Sequence, residues 1–283
     1  KYPFIRILDN PKKVAPTALN IGIKNASGEV IIRMDAHNTY GKDYISKCVK
    51  YLNEYKVDNI GGIWITLPGN DTLIAKSIAL TLSHPFGVGN SYFRRGVEEP
   101  KEVDTVPFGC YRREVFEKIG LFNENLIRNQ DIEFNLRLKR AGGKILLVPD
   151  IVSYYYARSD LKGLFKQNFW NGFWIIYSLK FAEMPFSIRH LVPFVFVLSL
   201  IGSLIGALFF KSFSYLFLFI ILTYLAVNIF FSFKQALKYG LKYFIPLVLS
   251  FSTLHFSYGL GSISGVFKLI MPIKEKREDV FPK

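Results

Sequence analysis

The sequence predicts an α/β domain with a mostly parallel sheet, followed by membrane-spanning helices. Three observations carry that reading. Short apolar runs alternate with helical periods across residues 1–160, the pattern of strands joined by helices. Charge then thins: the first 187 residues hold 26 basic and 19 acidic side chains, and the last 96 hold 10 and 3. Half of the 283 residues are hydrophobic and 16% are aromatic, which excludes a disordered or collagen-like chain.

The elements follow in order. Residues 4–8 are apolar and short, strand-like. Residues 15–26 read as a helix, with Pro16 in its first turn. Residues 30–34 form a buried strand. Residues 44–55 form an amphipathic helix with Ile45, Cys48, Val49 and Leu52 on one stripe. A strand at 60–67 and a helix at 73–82 come next. Residues 103–108 are extended, 113–119 helical and 131–141 helical; 145–148 is a strand and 151–156 a second one. Ligands of such sheets bind at the carboxyl ends of the strands. The chain opens on Lys1 with no helix before its first strand, so the sheet is expected to be truncated at its N-terminus.

Three charge-free stretches follow, at 191–210, 212–233 and 243–267, of 20, 22 and 25 residues. A helix crosses a bilayer core with about 20 residues. Lys211 makes the first two a hairpin. Lys234, Lys238 and Lys242 in the next loop predict a cytoplasmic loop. Three full spans then leave the N-terminal domain cytoplasmic and the basic tail outside; a re-entrant third segment would bring the tail back inside. The expected organisation is a domain at 1–160, an amphipathic interfacial helix at 161–187, a membrane region at 188–270 and a basic tail at 271–283. The interfacial helix is read from Phe165, Phe169, Trp170, Phe173, Trp174 and Tyr177, accompanied by Lys162, Lys166 and Lys180; a core helix of the preceding domain has the same pattern. Gly202 with Gly206, and Gly261 with Gly265, have the spacing that lets helices approach closely.

A net charge of +14 admits a nucleic-acid partner. The Lys and Arg are scattered and no nucleic-acid motif accompanies them, so anionic lipid is the expected partner, not nucleic acid. Cys48 and Cys110 make no framework and suggest a reducing compartment.

Five places could carry chemistry. The strand at 30–34 releases Asp35 and His37, which share one side of an extended chain. Together they suit Mg²⁺ or Mn²⁺ beside a diphosphate, the imidazole favouring Mn²⁺; a turn-capping Asp and a solvated His are the plainer reading. Asp131, at a helix start beside Gln130, is either a general base or an N-cap. The run from Asp104 to Arg113 contains Gly109, which permits close backbone approach, and the pair Arg112 and Arg113, which suits phosphate; a turn with solvated charges is the alternative. The glycine-rich, polar loop at 84–91 is suited to contact a sugar, with a plain surface loop as the equal alternative. Farther on, Gln167 and Trp170 are suited to hold a pyranose ring.

In order, residues 18–37, then 107–116, 119–124 and 129–131, resemble the central and acceptor parts of family 2 glycosyltransferases. The closest likeness is to membrane-bound glucosyltransferases of succinoglycan-type exopolysaccharide synthesis, and residues 255–261 are similar to their C-terminal segment. The resemblance covers roughly residues 10–265. It implies a GT-A fold, a nucleotide-diphosphate sugar donor such as UDP-glucose, and inversion in one in-line displacement. It implies that Asp35 and His37 form the metal and diphosphate motif with Asn20 on the donor side, and that Asp131 is the catalytic base. Asp104, Gly109, Arg112, Gln130, Gln167 and Trp170 fall on the acceptor side. His37 stands where the family usually has a second Asp, and no Arg precedes Trp170 as in processive members. The family's first strand and early nucleotide-reading acids precede Lys1.

The expected function is transfer of a hexose, glucose by resemblance, to a lipid-linked oligosaccharide at the inner membrane by a multi-pass enzyme with a cytoplasmic catalytic domain. A polyprenyl-phosphate sugar transferase and a non-catalytic membrane subunit of a polysaccharide assembly complex are the alternatives.

Overall fold

A computed structural model of the chain describes residues 2–36, 38–183 and 188–271. The first helix, α1 (Ala15–Asn25), has Pro16 near its start, where the missing N–H is harmless. Strand β1 (Val30–Ile32) and the short β2 (Thr39–Tyr40) flank the turn that carries Asp35. Helix α2 (Tyr44–Glu54) buries Tyr44, Cys48 and Leu52 one turn apart. Strand β3 (Asn59–Leu67) leads to α3 (Leu73–Leu82), whose Thr72 accepts the Ala75 N–H as N-cap. Two single turns, α4 (Pro85–Val88) and α5 (Tyr92–Arg95), come before β4 (Lys101–Glu102) and β5 (Cys110–Arg112). Helices α6 (Arg113–Ile119) and α7 (Gln130–Arg140) precede the long strand β6 (Ile145–Tyr156).

The sheet runs β1-β5-β3-β6-β2, with β4 also on β6. Its longest ladder, β3 with β6, is parallel; the shorter ladders of β1 with β5, β3 with β5, β2 with β6 and β4 with β6 are antiparallel. Two of the expected strands, at 145–148 and 151–156, are one. The chain passes Pro149 and Asp150 without leaving the sheet because the β3 pairing skips there, between Gly62 and Ile63. Gly62 is required at that point, since a Cβ would strike Ile151 O. Two other expectations need correction. Residues 4–8 are irregular, with Phe4 and Ile7 exposed, because no strand lies alongside them among the described residues. Residues 103–108 are not a strand: Phe108 and Gly109 both take positive φ, which turns the chain before β5.

Two buried clusters face opposite sides of the sheet region. One gathers Tyr111, Phe116, Phe122 and Phe134 between α6, α7 and β5. The other gathers Tyr44, Cys48, Leu52, Ile60 and Ile151 under α2. Cys48 and Cys110 remain thiols, both buried, and burial together with their mutual hydrogen bond pushes the Cys110 thiol up.

Helix α8 (Leu161–Tyr177) is capped by Asp160, whose Oδ1 accepts the Gly163 N–H, and continues into a 3-10 turn at Ser178–Lys180. Three long apolar helices follow: α9 (Ile188–Gly206), α10 (Lys211–Tyr239) and α11 (Phe244–Ile270). Each is long and apolar enough to cross a membrane. The outer surface of α10 exposes Leu218, Phe219, Leu222 and Phe230, as a lipid-facing helix does. Helix α11 is the inner member and packs along α8. Gly172 meets Tyr258 O, and Gly261 and Gly265 meet Phe169 O and Phe173 O so closely that no methyl fits. The Gly261–Gly265 pair thus makes the expected close approach, whereas Gly202 faces open space. Ile175 and Ile176 of α8 pack with Tyr258 and Val266 of α11, while Phe173, Trp174 and Tyr177 are buried with Ile127 and Phe181, and Phe165 stays exposed. Residues 184–187 and most of the tail, 272–283, lie outside the described residues.

Candidate active site

Strand β1 pairs with β5 in the register Val30↔Arg112 to Ile32↔Cys110, and the Arg33 N–H continues it by donating to Gly109 O at 3.1 Å. The ladder ends there and delivers Asp35 to the end of the strand. The Asp35 N–H donates to Tyr40 Oη at 2.7 Å, tying the turn to β2. The carboxylate is held by its own strand: Arg33 Nε donates to Oδ1 at 2.9 Å and Nη2 to Oδ2 at 3.0 Å. This is the bidentate fork that guanidinium and carboxylate geometry favours. Burial works against the Arg33 charge, but the bond to Asp35 and the field of Asp131 outweigh it and raise its pKa.

Asp131 comes from the other side. Asn129, in the left-handed conformation at φ 62°, is the N-cap of α7, and Asp131 stands inside the first turn. Its Oδ1 accepts the Ile132 N–H at 3.0 Å. The capping reading of Asp131 therefore gives way to an acid on the first turn, where the helix dipole favours its anion.

Asp35 and Asp131 line one cleft of about 760 Å³. Its floor includes Arg33 and Phe108. One wall is the expected glycine-rich loop, residues 85–91. The C-terminal helices add Asn168 and Asn171 of α8, Val192 and Pro193 of α9, and Leu254 and Tyr258 of α11. Arg189, on the first turn of α9, is the latch between the two regions. It donates to Asp104 Oδ2 at 2.9 Å and to Asn90 Oδ1 at 3.2 Å.

The remaining expected residues sit elsewhere. Asn20 is buried on α1, where Nδ2 donates to Phe122 O at 2.9 Å and Oδ1 accepts the Phe122 N–H at 3.0 Å. Both ends of its amide are thereby engaged away from the cleft. Arg112 donates to Leu52 O and Asn53, and Arg113 to Gly28 O and Ala26 O, so both guanidiniums serve backbone carbonyls and not a phosphate. Gly109 does not line the cleft; its positive φ shapes the turn that puts Phe108 there. Gln130 is buried. Gln167 donates to Tyr155 Oη at 2.8 Å, and Trp170 packs on Phe169 and Phe173. Their helix does reach the cleft, one residue along, through Asn168 and Asn171. His37 lies outside the described residues.

Among the described residues no cluster of three His, Cys, Asp or Glu is arranged to hold a metal. Mg²⁺ and Mn²⁺ sites beside phosphates need only one or two carboxylates, the rest coming from phosphate and water. Asp35 fits that role: it faces the cleft, and each oxygen, bonded once to Arg33, retains acceptor capacity.

Comparison with known proteins bears on the family and the fold. Residues 1–120 match the family model of Glycosyl transferase family 2. They form a family 2 glycosyltransferase domain. The chain is 32% identical over 203 residues to the dolichyl N-acetyl-alpha-D-glucosaminyl phosphate 3-beta-D-2,3-diacetamido-2,3-dideoxy-beta-D-glucuronosyltransferase of Methanococcus voltae, covering 70% of this chain and 61% of that protein. It is 30% identical over 194 residues to the succinoglycan biosynthesis protein ExoA of Rhizobium meliloti (strain 1021), covering 68% and 58%. The chain thus spans about three-fifths of the length of these relatives. Among solved structures, a mannosyltransferase from Pyrobaculum calidifontis in complex with GDP-Man and Mn²⁺ superposes with a TM-score of 0.50 at 13% identity, over 90% of this chain and 67% of that one. That likeness places the glycosyltransferase domain in a GT-A-like fold.

Reasoning from sequence passed over Arg33 and Arg94, two cations of the cleft, although Arg33 immediately precedes the acid-bearing turn. A guanidinium between a strand and its turn was the available signal.

Proposed function

We propose that the chain carries the catalytic site of a membrane-bound glycosyltransferase that moves a hexose from a nucleotide-diphosphate sugar to a lipid-linked saccharide. The observation that carries this reading is that Asp35, from the end of β1, and Asp131, from the first turn of α7, line one cleft together with residues of the apolar helices α9 and α11. Asp131 accepts the proton of the acceptor hydroxyl as its oxygen attacks the anomeric carbon. The bond from that carbon to the diphosphate oxygen breaks in line, and the nucleoside diphosphate leaves with the electron pair. The product is inverted. Arg33 orients Asp35 towards the diphosphate and adds positive charge where negative charge develops. A divalent cation held by Asp35, with His37 as the second ligand, would neutralise the departing diphosphate.

The likeness to the Methanococcus enzyme, named for a dolichyl-linked acceptor, supports an acceptor built on a lipid carrier, the likeness to ExoA supports exopolysaccharide synthesis, and the Mn²⁺ of the Pyrobaculum complex supports a divalent metal. Glucose from UDP-glucose is the proposed transfer, at the cytoplasmic face of the inner membrane, with α9, α10 and α11 as three spans and the exposed side of α8 at the interface. Incubating membranes containing the protein with radiolabelled UDP-glucose and extracting the lipid fraction tests it. Chelator-sensitive label in the lipid fraction is expected. Label delivered equally well after EDTA treatment overturns the metal assignment, and label from another nucleotide sugar alone overturns glucose.

A further inference from the structure

The mechanism leaves Arg94 of the cleft unused. Arg94, on α5, lines the cleft, and its guanidinium lies 4.6 Å from the Trp64 ring, 5.0 Å from Tyr155 and 5.5 Å from Phe93. Trp64 and Tyr155 are themselves stacked, at 4.8 Å and 9°. Arg94 has no carboxylate partner among the described residues, and its Nη1 is buried with no hydrogen-bond partner. Arginine does not shed its proton in proteins, so the charge stays. A buried, unpaired charge is unfavourable unless something anionic joins it. The aromatic faces and a hydrogen bond with Tyr155 offset part of that penalty, and Nη1 keeps its donors free.

The cage also has a side. Tyr155 and Trp64 pack with Leu254 of α11 and Leu164 of α8 in one cluster, so Arg94 sits where the soluble domain meets the membrane helices. The acid that would face the donor diphosphate, Asp35, is paired with a different guanidinium, Arg33. Leu82 and Leu254, which share the cluster of Trp64 and Tyr155, line the cleft, as do Val192 and Pro193. An anion with a hydrocarbon tail matches such a wall; a free nucleotide does not.

We propose that the Arg94 guanidinium, held against the stacked rings of Trp64 and Tyr155, binds the phosphate of the lipid carrier of the acceptor. This rests on the reading that the acceptor is lipid-linked. It assigns the phosphate end of that lipid to Arg94 and its first isoprenoid units to the Leu82–Leu254 wall, which leaves the sugar end directed into the cleft.

The test is binding, independent of transfer. The detergent-solubilised full chain is titrated with a polyprenyl phosphate, the matching polyprenol, and inorganic phosphate, reading tryptophan fluorescence. Trp64 lies against the proposed ligand and is the reporter. Saturable quenching by the polyprenyl phosphate is expected, with polyprenol silent and inorganic phosphate competing only weakly. Arg94→Gln is expected to weaken that binding by tenfold or more and to leave nucleotide-sugar affinity unchanged. Arg94→Lys, which keeps the charge but not the planar stack, is expected to fall between; it stands in should the Gln variant not fold. Equal binding of polyprenol, inorganic phosphate binding as tightly as the lipid, or polyprenyl phosphate binding undiminished in both variants overturns the inference. So does loss of nucleotide-sugar binding in place of lipid binding, which would assign Arg94 to the donor. Wild-type binding of the lipid without any nucleotide-sugar binding would instead overturn the proposed function and leave this site standing.

Discussion

Replacing Asp131 with Asn removes the proposed base and little else. Among the described residues its carboxylate accepts one hydrogen bond, from the Ile132 N–H, and an Asn oxygen keeps it. The charge at the start of α7 is lost, which costs about 0.3–1 kcal/mol of helix-dipole stabilisation. The fold therefore survives. A positioned base contributes about 10²–10⁴-fold to rate, or about 3–5 kcal/mol of barrier. Transfer by Asp131→Asn should fall by that factor in kcat, with the KM for the nucleotide sugar near wild type, because the acid lies on the acceptor side. The assay is steady-state transfer of radiolabelled sugar to the lipid fraction, with a thermal melt in detergent to show that the variant is folded. A folded variant with a wild-type kcat would refute the base assignment. A fall confined to KM would place Asp131 in binding instead.

Other outcomes follow from the same geometry. Arg33→Gln removes two charge-assisted bonds from Asp35 and should raise the donor KM by about ten- to a hundredfold; an unchanged KM measured by donor titration would show that Asp35 needs no orientation. Gly172→Ala places a methyl against Tyr258 O and should destabilise the α8–α11 seam by about 1–3 kcal/mol, seen as a lower melting midpoint in detergent. Glu124 is held down to about 2, below its ordinary 4.5, by hydrogen bonds from Lys12, Asn20 and Thr17. A carboxyl depressed in the folded state stabilises above its unfolded pKa and loses that contribution as pH falls. Wild type should therefore lose stability between pH 4.5 and 2 more steeply than Glu124→Gln, by about 1 kcal/mol after solvent screening, in melts across that range.

Much of the architecture was legible because local rules decide it. The helices at Ala15–Asn25, Leu73–Leu82 and Arg113–Ile119 announce themselves through apolar spacing, a proline in the first turn, or a Thr cap. The three apolar helices follow from length without charge. Asp35 and Asp131 were legible as acids at a strand end and a helix start, the places where a sheet of this kind exposes side chains to ligand. What failed depended on partners distant in the chain. Pro149 reads as a strand break, but a skip in the β3 pairing across from it lets the strand continue. Arg112 and Arg113 look like phosphate ligands until Leu52, Ala26 and Gly28 present their carbonyls. Arg94 shows nothing unusual beside Arg95, because its environment comes from Trp64, thirty positions upstream, and Tyr155, far downstream.

Nucleotide-sugar affinity, measured by isothermal titration in the presence of Mn²⁺ on Asp35→Asn and Asp131→Asn alongside wild type, separates the two sides of the cleft most directly. Donor binding should weaken by about tenfold or more in Asp35→Asn, as loss of a charged partner predicts, and stay at wild-type strength in Asp131→Asn. Undiminished binding by the first variant, or equal weakening in both, would contradict a donor held at Asp35 opposite a base at Asp131.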